Sequence, residues 1–370
     1  MKTLVYFPNY LLYQSNENFL SGLIHLSDEL KADYFVPFIS IKNIGILNYI
    51  KDLFSIIRGV LITKKRIKYN PKLVFSLDLA NKYDLVLIIN NFDERLHKDL
   101  TTLLKIKTNV AFHTFEYHYK TEVLKNVLKS LKPEIILSYG YQEKNCSYFK
   151  YLLKDINFKP QKGFIPFYFG YSLSYSPSSF LKDIKRKYNC CLLGSSQPLN
   201  IDNKEYKIYS DYFLKNGIHQ THQTRNSLLK LLKENKNYEK FIFAPSSGWR
   251  SKDRMSYNNK EILSTSNFFI NDLSILKFPP ARLFEGIARG CIPIDYFDEI
   301  YIQLGFEKNK NIIFLEYGEE LKQIKELYFF DPLKIKKMRE EVIKMAIERF
   351  SQKTISNESA YLIKKKFFKS

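Results

Sequence analysis

Short apolar runs alternate with amphipathic stretches along most of the chain. That alternation allows few architectures other than strand–helix units assembled into a mostly parallel sheet. In the first half, strands are expected at residues 3–7, 34–39, 85–89, 110–113 and 135–138. Helical patterns lie between them at 18–30, 96–104 and 121–131, the last stopped by Lys132-Pro133. A polar stretch rich in Ser and Tyr, 171–179, then reads as a connecting segment, and the alternation resumes. Strands are expected at 188–193, 240–244, 267–270 and 291–294, with helices at 224–234 and after Pro279-Pro280. The chain closes with helical sequence from Pro332 to about Arg349, a break at 351–357, and a further helical stretch.

At 370 residues the chain exceeds what one hydrophobic core ordinarily serves. The reading is α/β: a Rossmann-like domain at 1–170, a second at 180–348, and a helix at 349–370 that crosses back to the first domain. A cleft between the two domains is expected to hold the site. No run approaches the roughly 18–20 apolar residues that span a bilayer, and the start, MKTLVYF, reads as a buried strand rather than a leader. Four cysteines without a C-x-x-C pair suit a reducing compartment, so the expected location is cytoplasmic. Lys and Arg outnumber Asp and Glu by 58 to 38, and the +20 net charge attracts anionic partners. The runs Lys64-Lys65-Arg66, Lys185-Arg186-Lys187 and Lys364-Lys365-Lys366 read either as solvated surface or as contacts to the anionic inner face of a membrane.

The most informative segment is PPARLFEGIARGCIPI, from Pro279 to Ile294. Pro279-Pro280 presets a helix start and Gly290 supplies a left-handed stop. Leu283, Phe284, Ile287 and Ala288 share one face; Arg282, Glu285, Gly286 and Arg289 share the other. A helix start at the carboxyl edge of a parallel sheet attracts a diphosphate, and Arg282 in the first turn reinforces it. Glu285 is suited to accept from two ribose hydroxyls, and Gly286 allows close approach. On spacing alone, Glu285 and Arg289 equally form an i,i+4 pair on a solvated face.

The pattern Tyr257-x5-Leu263-x2-Ser266-x-Phe268, followed by Arg282-Leu-Phe-Glu285 and Gly290-Cys-Ile-Pro-Ile294, resembles the donor-site signature of exostosin-like and CgeB-like GT-B glycosyltransferases. That resemblance implies a GT-B fold: two Rossmann-like domains facing across a cleft, with a C-terminal helical tail. It implies that Glu285 binds the nucleotide ribose and that Arg282 compensates the diphosphate. Arg225 resembles the arginine that follows the first turn of such donor domains, and Gly194-Ser195-Ser196 resembles that turn. Pro280, Leu283 and Gly286 complete the donor-side set. Commonly, retaining GT-B enzymes carry another glutamate about two turns earlier, where this chain reads Ile275-Leu276-Lys277. That departure speaks against a retaining mechanism of this kind, and an inverting reaction is expected; the resemblance implies that it moves a hexosyl or related group from a nucleoside diphosphate sugar to a glycan or lipid-linked acceptor in surface polysaccharide biosynthesis, such as lipopolysaccharide or capsule.

An inverting transferase needs a base for the acceptor hydroxyl. Val110-Ala-Phe-His113-Thr-Phe-Glu116 offers Glu116 or His113, the latter also readable as a strand-end histidine with a structural hydrogen bond. Asn9 and Asn16 follow the first strand on the acceptor side. The sequence lacks G-x-G-x-x-G, G-K-[ST] and D-x-D, so no dinucleotide, P-loop or metal-bridged donor site is expected. His219-x-x-His222 has no neighbouring Glu, and neither metal nor cofactor is expected beyond the donor substrate. Two rival readings are a basic protein that binds nucleic acid or another anionic polymer without catalysis, and a phosphosugar transferase on the same fold. The basic residues form no single stripe, which speaks against nucleic acid as a partner.

Overall fold

The computed structural model of the chain describes residues 1–6, 20–35, 69–74, 76–89, 103–114, 117–178, 184–195, 204–234, 241–246 and 258–368, together with 46, 50, 54 and 199. It divides into two compact units: one of Met1–Tyr168, Asp202–Asp211 and Gln352–Ser370, the other of Phe169–Ile201 and Tyr212–Ser351.

The first unit is built on a seven-stranded sheet: β1 (Thr3–Tyr6), β2 (Asp33–Phe35), β3 (Leu73–Val74), β4 (Leu85–Ile89), β5 (Asn109–His113), β6 (Ile135–Ser138) and β7 (Phe164–Pro166). Every neighbouring pair is parallel, in the order β3-β2-β1-β4-β5-β6-β7. Because helices cover both faces of such a sheet, its central strands are continuously apolar rather than alternating. All of Leu85–Ile89 is buried accordingly. The helix Thr121–Leu131 has the expected bounds, and Lys132 ends it in the left-handed conformation at φ 45°. Most of the expected helix at 96–104 lies outside the described residues.

The second unit carries β8 (Tyr188–Ser195), β9 (Phe241–Ser246), β10 (Ser266–Ile270), β11 (Ile292–Tyr296) and β12 (Ile313–Leu315). All pairs are again parallel, in the order β12-β11-β10-β8-β9. Alternate residues of four strands, Cys190 and Leu192, Phe268 and Ile270, Ile292 and Ile294, Ile313 and Leu315, form one core cluster with Leu228, Leu232, Ile335 and Met338 from helices Gln223–Glu234 and Pro332–Arg349. This is the period-two pattern of a sheet covered by helices.

Two expectations are corrected. The break expected at 351–357 is confined to Phe350 and Ser351, and helix Gln352–Phe368 runs through the rest. Its polar residues are accommodated within the first unit. Ser356 Oγ donates to Gln352 O and reaches Gly22 O, each at 2.7 Å, and so joins the helix to Leu20–Glu29. Secondly, 171–179 is less open than its composition suggests. Tyr171 bridges to Ser351, and Tyr175 is buried within the second unit.

Candidate nucleotide-binding site

Open α/β sheets bind ligands beyond the carboxyl ends of their strands, where the strand order reverses. In the first sheet the reversal lies between β1 and β4, and the loops leaving both, 7–19 and 90–102, are outside the described residues. Asn9 and Asn16 fall there. In the second sheet it lies between β8 and β10; of the loop leaving β8, 196–203, only Leu199 is described, and the stretch leaving β10, 271–280, is described throughout.

Beyond β10 comes helix Ala281–Ala288. Pro280 is its N-cap at φ −71°, and Gly290, at φ +68°, ends it. Gly290 N donates to Ile287 O and Cys291 N to Gly286 O, each at 3.0 Å, the paired bonds of a Schellman stop. Arg186 completes the cap, its Nη2 donating to Arg289 O at 3.1 Å and its Nη1 to Leu263 O and Ser266 O. One arginine of the run read as surface is thus a half-buried structural group, and desolvation pulls its pKa down to about 10.

The apolar face packs as expected, with Leu283, Phe284, Ile287 and Ala288 fully buried. The other face needs revision, because it is not solvated. Arg289 is buried, with Nε on Ser264 Oγ at 2.7 Å and Nη1 on Ser176 O at 3.2 Å, so an exposed pair with Glu285 is ruled out. Gly286 serves packing rather than ligand approach: a Cβ there would stand 2.6 Å from the Phe269 ring. Glu285 is 5% exposed. Burial raises its pKa to about 7, with the Arg282 charge pulling the other way. Tyr175 lies close enough to Glu285, Arg282 and Arg289 for their charges to act on its hydroxyl.

Two arginines meet at the end of β8. A Cβ placed on Gly194 would lie 2.2 Å from Nη1 of Arg282 and 2.8 Å from Nη1 of Arg225. Gly194 has φ +116°, a conformation open to glycine, so the strand end is both shaped for and bare toward the two guanidinium groups. Since 2.2 Å and 2.8 Å add to 5.0 Å, the two Nη1 atoms are at most that far apart, and like charges at about 5 Å repel by ~3 kcal/mol at an effective dielectric constant near 20. The pair concentrates positive charge at the strand end, with Glu285 acting on Arg282 and Asp272 on Arg225. Arg282 Nε is buried without a hydrogen-bond partner among the described residues. Arg225 is anchored from below, its backbone N–H donating to Asp272 Oδ2 at 3.0 Å.

Asp272 also accepts from Ser274 N at 2.7 Å and lies 3.6 Å from His222 Nδ1. Burial alone would raise its pKa, but His222 and Arg225 outweigh burial and hold it below the usual carboxylate range. At the end of β11, Asp295 accepts from Tyr301 and from Asn271 Nδ2, and burial beside Asp272 raises it to about 7. Asp272, His222 and Tyr175 went unrecognised as part of this site in the sequence. The only signal was His222 in a weak metal-type spacing.

The remaining candidates are less favoured or lie outside the described residues. Ser195 ends β8 opposite Ser246, and Ser196 is outside the described residues. His113 is completely buried, walled in by the rings of Tyr139 at 5.5 Å and Phe167 at 5.6 Å. Burial lowers its pKa to about 3, and this placement argues against its acting as the base. Glu116 lies outside the described residues.

No protein-family model matches this sequence, and no curated protein sequence does either. Solved structures do match in shape. HepE of Anabaena, crystallised with UDP and glucose, is 12% identical with a TM-score of 0.53, over 99% of this chain and 100% of that one. A glycosyltransferase of Rickettsia africae is 14% identical with a TM-score of 0.53, over 100% and 99% of the two chains. With its two Rossmann-like units, each on a parallel sheet, the chain has the GT-B fold of these glycosyltransferases.

Proposed function

We propose that the chain is a glycosyltransferase that takes a sugar from a nucleoside diphosphate donor held at the switch point of the second sheet. The observation that carries this reading is the meeting of Arg225 and Arg282 on the bare face of Gly194, with buried Glu285 one turn further along the same helix. The guanidinium pair supplies the charge for a diphosphate without a metal, and Glu285 accepts from the ribose hydroxyls. The UDP and UDP-glucose complexes of HepE support a donor of this class. The reaction is inverting, because the region that would carry a second glutamate reads Ile275-Leu276-Lys277 and Lys277 is occupied by an ion pair with Asp298 at 2.8 Å. Glu116 is retained as the base. The exostosin-like reading of the signature helix belongs to this proposal as well.

A thermal-shift screen across UDP, GDP, ADP and TDP tests it. At about 100 times Kd a ligand stabilises by ~2.7 kcal/mol, so one of them is expected to raise Tm by about 3–4 °C if the whole chain melts together and by about 5–10 °C if the second unit melts by itself. Arg225→Ala and Arg282→Ala are each expected to remove most of that shift. No response to any of the four, or a full response in both variants, sinks the assignment.

The acceptor is a glycan or lipid-linked molecule at an anionic membrane surface. Among the described residues no helix is long and apolar enough to cross a membrane. Helix Gln352–Phe368 presents Tyr361 (61% exposed) and Phe368 (69% exposed) seven residues apart on one face, with Lys365 Nζ 5.9 Å from the Tyr361 ring. Aromatic side chains interleaved with lysines suit an interface rich in anionic lipid. Vesicles containing phosphatidylserine are expected to bind the protein in a salt-sensitive way. Binding should be lost in the Tyr361→Ser, Phe368→Ser double variant, and equal binding to neutral vesicles refutes this surface.

A further inference from the structure

His222 stands at the start of helix Gln223–Glu234, where its carbonyl accepts from Asn226 N at 3.1 Å. Asp272 links it to the arginine site: one carboxylate oxygen lies 3.6 Å from His222 Nδ1 and also takes the Arg225 backbone N–H at 3.0 Å. The other oxygen is fixed by Ser274 N, so Asp272 is held rigidly between the Arg225 backbone N–H and the His222 ring. The charged groups that act on the ring are Asp272 from the loop after β10, Arg225 from its own helix, and Arg282 from helix Ala281–Ala288. A ring in this position is of no use to the apo protein as a cation, since a third positive charge would add to the repulsion between the arginines.

We propose that His222 is a third anion-binding group of the site, neutral in the unliganded protein and protonated from solvent when a nucleoside diphosphate is bound. The proposal rests on the donor-site reading above. A diphosphate brings at least two negative charges against Arg225 and Arg282 and cancels their effect on the ring. The imidazolium then has the Asp272 carboxylate beside Nδ1 and the phosphate charge in the place of the arginines' repulsion, and the proton returns to solvent when the nucleotide leaves. Burial and the two arginines keep the unliganded ring below its ordinary pKa against the pull of Asp272, which is the starting state this requires. Because the liganded ring binds protons more tightly, its contribution to affinity is present at low pH and is lost as pH rises through the liganded value.

The test is calorimetric titration at pH 6.5 with whichever of UDP, GDP, ADP and TDP stabilises the protein, in two buffers of different ionisation enthalpy, on the wild type and on His222→Gln. The variant is expected to bind about 10-fold more weakly, the loss of one charge-assisted contact. It should also take up fewer protons than the wild type, by a difference approaching one. Equal proton numbers in two binding proteins overturn the proposal and leave the donor site standing. Binding of none of the four by the wild type overturns the donor-site reading and this proposal with it. If His222→Gln does not fold, an NMR titration of the imidazole C–H signals in the wild type decides. One imidazole must rise in pKa on adding nucleotide, and no change in any of them refutes the proposal.

Discussion

Glu285→Gln is expected to lower nucleotide affinity and sugar transfer by about 100-fold or more while leaving the protein folded. Charge-assisted hydrogen bonds contribute about 1.5–3 kcal/mol each, and two ribose hydroxyls donate to this carboxylate in the proposed complex. The amide is isosteric but carries no charge, so it isolates the electrostatic part. Burial raises Glu285 to about 7, and the ligand selects the ionised form, so binding releases a proton and this residue's contribution to affinity grows as pH rises through about 7. The consequence for stability has the opposite sense. Between its ordinary value and about 7, the folded protein holds a proton that the unfolded chain has lost, so stability falls as pH rises across that interval. Above pH 7 the glutamine variant should therefore melt higher than the wild type while binding worse. Thermal melts at pH 5 and pH 8, together with nucleotide titrations, check both halves. Unchanged affinity removes Glu285 from the donor site.

Gly194→Ala is expected to cost about 1–3 kcal/mol of stability, because an alanine at φ +116° is strained. A comparable effect falls on binding. The new methyl group would stand 2.2 Å from Arg282 Nη1, and the flexible guanidinium end gives way before the strand does. The site then remains intact in composition but loses the convergence on which the proposed anion site depends, and affinity for the nucleoside diphosphate should fall about 100-fold, the scale of a lost charge-assisted contact or two. Calorimetry measures the binding and a denaturant titration the stability. Wild-type affinity in a folded Gly194→Ala protein contradicts the geometry assigned to the two arginines.

What could be read from the sequence was local. Pro280 and Gly290 mark the ends of helix Ala281–Ala288 because they impose backbone angles on their own positions. The apolar runs at Leu85–Ile89 and Ile135–Ser138 announce buried parallel strands for a similar reason. The edge strands β3, β7 and β12 have two or three residues each, too few to establish a period. Side-chain partnerships across long separations were hidden. Asp272 meets Arg225 and His222 from another loop, and Arg186 caps a helix that begins almost a hundred residues later. His113 shows the same limit from the opposite side. At a strand end it reads as accessible, but Tyr139 and Phe167, from the ends of the two strands beyond it, enclose it.

Helix Gln352–Phe368 has a consequence for how the protein comes into being. Ser356 meets Gly22 across 334 residues, and Ile355, Ala360 and Ile363 bury their side chains in the first unit. Domains generally form in order during synthesis, the amino-terminal one first. Here the first unit lacks one of its covering helices until nearly all of the second has emerged from the ribosome, so its sheet must wait with part of its apolar surface uncovered. The order of completion is therefore inverted: the second unit can finish while the unit encoded before it is still incomplete.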